Sequence, residues 1–284
     1  RLAHEVVLGF FGAPAALPGR VQAPVALVTP PAPRYVSTSA PRLYTAPPAP
    51  VAVRHDPRER IAYGDPFLAA HAAELDAADR GRLRFDEDRW DHATRSAVGV
   101  DVECFANFFA VCFKRFSDGK RLAFERSDRG DLDVAAIRRV MDRNVVISFN
   151  GAAYDMPMIF LALSGAGTAK LKVASDKIIS GNMRPWNAER ELGVRVPRVN
   201  HVDLMEPNPS IRQGLKMLHG RLHGRYMVDL PYEPDAVLTP EQMNVVTLYC
   251  FNDLDATEVV YRAMREPLEL RVALAKTVGG IALR

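Results

Sequence analysis

The chain has 284 residues, 48% hydrophobic and 25% charged, with a formal net charge of +3. These are ordinary values for a globular protein able to bury a real core, as one large domain or two small ones. Charge on the whole molecule does not announce a nucleic-acid binder, so any such surface must come from local clustering.

Cys104, Cys112 and Cys250 show neither Cys-x-x-Cys spacing nor an even count. They point to unpaired, buried thiols and a reducing compartment. No apolar run nears twenty residues and no signal peptide stands out, so membrane insertion is not expected. The first residue is Arg1 rather than methionine, which suits a processed product or a piece of something longer.

Residues 1–57 hold eleven of the 21 prolines and, between Glu5 and Asp56, no acid. Such Pro/Ala-rich chain packs poorly and is expected to be a flexible, weakly basic leader, either a tether or plain disorder. Residues 58–96 form a charged lead-in segment, in which Asp65-Pro66 ahead of Phe67 to Leu75 predicts a capped helix with proline in its first turn.

The core spans 97–266. Strand signals cover 98–104, Phe108 to Phe113 and Leu122 to Phe124, with Ser117-Asp118-Gly119-Lys120 as a turn, so an antiparallel meander is predicted. A helix from Asp131 to Met141 follows, then a strand at 145–149 and a helix from about Met156 to Leu163.

Residues 165–200 read as a basic loop region carrying Trp186, suited to phosphates and stacked bases or simply solvated. His201 to Met205 is a further short strand. Beyond Pro209, a helix carries Ile211, Leu215, Leu218 and Leu222 on one face and Lys216, His219 and His223 on another. No acid lies between Glu206 and Asp229, so that second stripe suits a DNA backbone or an exposed face. A last long helix opens at Thr239-Pro240-Glu241 and runs to Met264. Residues 267–284 form a helical tail or the start of a following domain. The fold class is α/β, a mixed sheet flanked by helices.

Three short patterns carry chemistry. Asp101 and Glu103 project on the same face of a strand whose other residues look buried. Desolvating two adjacent carboxylates costs several kcal/mol unless a cation compensates. Asn150 and Asp155 flank a turn after the second apolar strand, and Tyr249 and Asp253 share a helix face. Each pattern alone has a plainer explanation. The strand pair could be solvated, Asp155 could be an N-cap before Met156-Pro157, and Tyr249 could be a core aromatic.

Asp-x-Glu, Asn-x4-Asp and Tyr-x3-Asp, in that order, resemble the three motifs of DEDD exonucleases. The tyrosine marks the DEDDy kind, since the position five before the last Asp, where the histidine branch has His, is Leu248. Covering about residues 97–262, the likeness is to proofreading domains of phage-type or family B DNA polymerases. It implies a ribonuclease H-like fold and two-metal hydrolysis with Mg²⁺ or Mn²⁺.

Under it Asp101, Glu103, Asp155 and Asp253 hold the metals and Tyr249 orients the attacking water. Thr257 supports Asp253, and Asn150, Trp186, Lys216 and His219 contact substrate. Asp255 is expected at the surface, facing away. The implied partners are single-stranded DNA or a frayed 3′ end, with a polymerase domain or other replisome components, in the cytoplasm of a bacterial or phage-infected cell. A non-catalytic nucleic-acid-binding module and a 3′–5′ exoribonuclease remain open as alternatives. The leader matches no such family, and no polymerase palm or fingers motif follows.

Overall fold

A computed structural model describes residues 69–78, 81–181, 183–207 and 213–277. The predicted leader, 1–57, and the start of the predicted helix at Asp65-Pro66 lie outside the described residues, as does the end of the C-terminal tail.

The sheet begins as the strand signals predict. β1 (Ala97–Cys104), β2 (Phe109–Arg115) and β3 (Arg121–Arg126) form an antiparallel meander. The β2–β3 connection turns at Gly119, whose φ of +73° is a left-handed conformation that favours glycine. β4 (Val145–Ser148) pairs parallel with β1, and β5 (His201–Asp203) parallel with β4, giving the order β3-β2-β1-β4-β5. This mixed five-stranded sheet flanked by helices is the α/β class expected, with the strand arrangement of a ribonuclease H-like fold.

Alternation along β1 sorts its side chains between two layers. Val98, Val100, Val102 and Cys104 enter one core, shared with α2 (Val134–Arg143), α3 (Asp155–Leu163) and α4 (Thr168–Ser180). Gly99, Asp101 and Glu103 point the other way, toward α7 (Pro240–Ala263), which packs on β1, β2 and β4. A Cβ at Gly99 would lie 2.8 Å from the Phe116 ring and 3.1 Å from Leu254, so the missing side chain is what lets α7 approach β1.

α7 starts in a capping box. Thr239 Oγ1 accepts from the Gln242 N–H and Gln242 Oε1 accepts from the Thr239 N–H. It is buried along most of its length, as a helix packed on more than one side must be. α6 (Leu215–Arg221), α1 (Ala72–Ala77) and α8 (Arg265–Thr277) also pack against it. The lead-in segment is clamped by buried Arg115, which stacks over Trp90 and donates to the Asp91 carbonyl.

The region 165–200 differs from the loop expected. It holds α4 and α5 (Pro185–Leu192). Leu171, Ala174, Ser175 and Ile178 give α4 a buried face among its lysines. α5 begins with Pro185 in its first turn and ends at Gly193 with φ +63°. α8 starts at Arg265, before Pro267, because proline in the first turn sacrifices no helical hydrogen bond. α6 is described only from Leu215, and residues 208–212 lie outside the described residues. Among the described residues, no helix is long and apolar enough to cross a membrane.

Candidate metal centre and active site

Three elements deliver the acidic side chains. β1 carries Asp101 and Glu103, the start of α3 carries Asp155, and the middle of α7 carries Asp253. Asp101 and Glu103 face α7, and the charges of Asp155 and Asp253 reach both of them. Burial raises the proton affinity of Asp101 well above the ordinary carboxylate range, and Asp155, Glu103 and Asp253 raise it further. Burial does the same to Glu103, followed by the charge of Asp253. The pKa of Asp155 is pushed up to about 7 by burial and then by Asp203, and that of Asp253 to about 6 by burial.

One cation works against this. Lys216, from α6, draws both Glu103 and Asp253 back toward ionisation. Its ammonium lies 5.0 Å from the centre of the Tyr249 ring and 3.5 Å from the exposed Asp229 carboxylate. A single half-exposed lysine cannot offset four crowded carboxyl groups, each of which costs several kcal/mol to desolvate as an ion.

Two orphaned atoms point the same way. Asp155 Oδ1 and Asp253 Oδ1 are buried with no hydrogen-bond partner among the described residues. Buried carboxylate oxygens ordinarily find donors, so these suit a positively charged ligand. Ligand atoms of Asp101, Glu103 and Cys250 lie within 4.8 Å of one another. A set dominated by carboxylate oxygens is what hard divalent cations such as Mg²⁺ or Mn²⁺ require, and the residues present fit such an ion.

Asp155 is not an N-cap. Tyr154 occupies that position without a side-chain cap bond, while Asp155 is 3% exposed and directed at β1 and Asp101. Tyr249 is 6% exposed, one turn before Asp253. Burial and then Asp253 raise the proton affinity of its phenol, so the hydroxyl stays protonated and serves as a donor. Thr257 Oγ1 donates to the Asp253 carbonyl, 2.9 Å away, and so braces the helix rather than the carboxylate. Asp255 points away, paired with Lys114 at 2.5 Å.

The expected substrate contacts separate. Lys216 joins the site. Asn150 is exposed on the turn leading to Asp155, with a left-handed φ of +63°. His219 is 4% exposed, pressed on Gly224, and lines a cavity with Asn252 and Asp255. The exposed stripe expected of Lys216, His219 and His223 is therefore broken, because the chain folds back over His219 after α6. Trp186 is 62% exposed on α5, with the Arg184 guanidinium 5.4 Å from its ring centre. α5 packs on α3, the helix that begins at Asp155.

Two residues escaped the sequence reading. Cys250 was expected only as a buried thiol, yet its Sγ donates to Asp101 Oδ2 across 3.5 Å. Its place three residues before Asp253, one turn away on the same helix, was the available signal. Asp203 accepts from the turn that carries Asp155, a relation that only parallel pairing of β5 with β4 reveals.

Compared with known proteins, the chain matches no family model, no curated protein and no solved structure.

Proposed function

We propose that this chain is a metal-dependent 3′–5′ exonuclease of the DEDDy kind, removing nucleotides from DNA ends as a proofreading domain or subunit of a polymerase. The observation that carries the reading is the meeting of Asp101, Glu103, Asp155 and Asp253 from three separate elements, with Tyr249 beside Asp253. Two orphaned carboxylate oxygens at that point and the order of the three motifs add to it.

Bound Mg²⁺ or Mn²⁺ would supply Lewis acidity and a nucleophilic water at neutral pH. Asp101, Glu103 and Asp253 would hold one ion, and Asp101 with Asp155 the second. Tyr249 offers its hydroxyl as a fixed donor that orients the attacking water, and its protonated state suits that role rather than that of a base. Lys216, over the Tyr249 ring and near Glu103 and Asp253, is a cation suited to contact a substrate phosphate. Asn150, exposed at the turn, offers an amide to the terminal nucleotide.

The test is hydrolysis of a 3′-labelled single strand with Mg²⁺ or Mn²⁺. Stepwise loss of 3′ nucleotides by the wild type, absent in Asp101→Ala and Asp253→Ala, is the expected result. Binding without turnover would favour a non-catalytic module. Preference for a ribo-oligonucleotide of the same sequence would favour an exoribonuclease.

A further inference from the structure

The backbone leaves β4 at Ser148 and re-enters regular structure at Asp155, so the six residues between decide where that carboxylate stands. Asn150 is left-handed at φ +63°, a conformation asparagine adopts more readily than other non-glycine residues. The turn it opens is gripped from β5. Asp203 Oδ1 accepts from the Asn150 N–H at 2.8 Å, and Oδ2 from the Ala152 N–H at 3.0 Å. Oδ1 also accepts from the Met205 N–H at 2.9 Å. The residue is 6% exposed, and its two carboxyl oxygens accept from three backbone donors.

The turn is fixed from its other side as well. Ser148 Oγ lies 2.7 Å from His201 Nε2. A Cβ on Gly151 would stand 2.2 Å from that same hydroxyl and 2.7 Å from Asp155 Oδ2. Gly151 is therefore the point at which the scaffold and the Asp155 carboxylate touch. The Gly151 carbonyl then accepts from the Met156 N–H at 2.8 Å, starting α3. A rigid path runs from Asp203 through two N–H groups to the residue beside Asp101.

We infer that Asp203 is a positioning residue for the metal centre, holding the Asn150–Ala152 turn so that Asp155 meets Asp101. This rests on the metal-dependent reading of the site, and Asp203 acts through Asp155 without touching the reacting atoms. An aspartate that merely closed a turn would contribute stability alone. One that sets a ligand contributes to cation affinity as well, because a ligand displaced by a fraction of an ångström loses its share of the coordination.

The experiment uses the full chain and Mn²⁺ alone, titrated calorimetrically without nucleic acid, beside kcat and KM on a 3′-labelled single strand. Asp203→Asn replaces one acceptor oxygen with a donor facing an N–H. It is expected to weaken Mn²⁺ binding at least tenfold and lower kcat at least tenfold, with KM changed less than twofold. Asp203→Ser, which keeps a short acceptor, is expected to fall between it and the wild type.

Wild-type Mn²⁺ affinity in a folded Asp203→Asn of lowered melting temperature would overturn the inference while leaving the exonuclease reading intact. So would failure of both variants to fold, which would make Asp203 a purely structural residue. If Asp101→Asn binds Mn²⁺ as the wild type does, the metal reading falls and this inference with it.

Discussion

The Cys250 thiol donates to Asp101 Oδ2 across 3.5 Å, joining α7 to β1 beside the carboxyl groups. Cys112, opposite Asp101 in the β1–β2 register, is buried on the same side. Both thiols belong to the core layer beside the acidic cluster, and Cys250 gives Asp101 one weak donor.

Removing that donor tests its weight. Cys250→Ala should lower turnover about fivefold, the effect of one neutral hydrogen bond of roughly 1 kcal/mol. Cys250→Ser, which restores a donor, should recover most of it. Single-turnover hydrolysis at saturating Mn²⁺ measures both.

Neutralising a carboxylate should separate stability from activity. Asp101→Asn puts a neutral amide where burial, Asp155, Glu103 and Asp253 all oppose ionisation of the carboxyl, so at a pH where that carboxyl ionises the metal-free protein should melt higher. The same variant should lose at least a thousandfold in hydrolysis and no longer gain stability on addition of Mn²⁺. Thermal melts with chelator and with Mn²⁺, beside the nuclease assay, read all three.

The metal-free protein should lose stability as pH rises. Asp155 and Asp253 have folded pKa values of about 7 and about 6, above the value near 4 of an unfolded aspartate. Between those limits the folded state binds more protons than the unfolded state. The stability they contribute is complete below pH 4 and is lost as pH climbs through 6 and 7. Melting temperatures in chelator should therefore decline over that range. With Mn²⁺ present the sign reverses, since the ion binds the ionised form.

Lys216 eases ionisation of Glu103 and Asp253. Lys216→Met removes that help, so both carboxyl groups need a higher pH to ionise. The acidic limb of the pH–rate profile should move to higher pH, a direction that loss of substrate affinity alone would not produce.

Gly151→Ala would place a methyl 2.2 Å from Ser148 Oγ. Overpacking of this kind costs about 1–3 kcal/mol. The loss should appear in chemical denaturation together with weakened Mn²⁺ binding, because Asp155 Oδ2 borders the same spot.

Local chemistry fixed much of this protein before any folding was considered. Alternation placed Asp101 and Glu103 together on β1, a spacing of four placed Tyr249 over Asp253, and Thr239-Pro240 began α7 where the capping box forms. Those features depend on neighbours within a few residues, so they are written in the order of the chain. α4 was hidden because its lysines masked a buried face that exists only against α3 and β1. His219 was taken for a surface residue because the return of the chain over it depends on contacts with α7.

Tertiary structure alone decided that Cys250 backs Asp101 and that Asp203, more than fifty positions past Asn150, grips the turn before Asp155. Both relations cross between elements distant in sequence, through packing and strand order, and nothing in the spacing of residues encodes which atoms such crossings bring together.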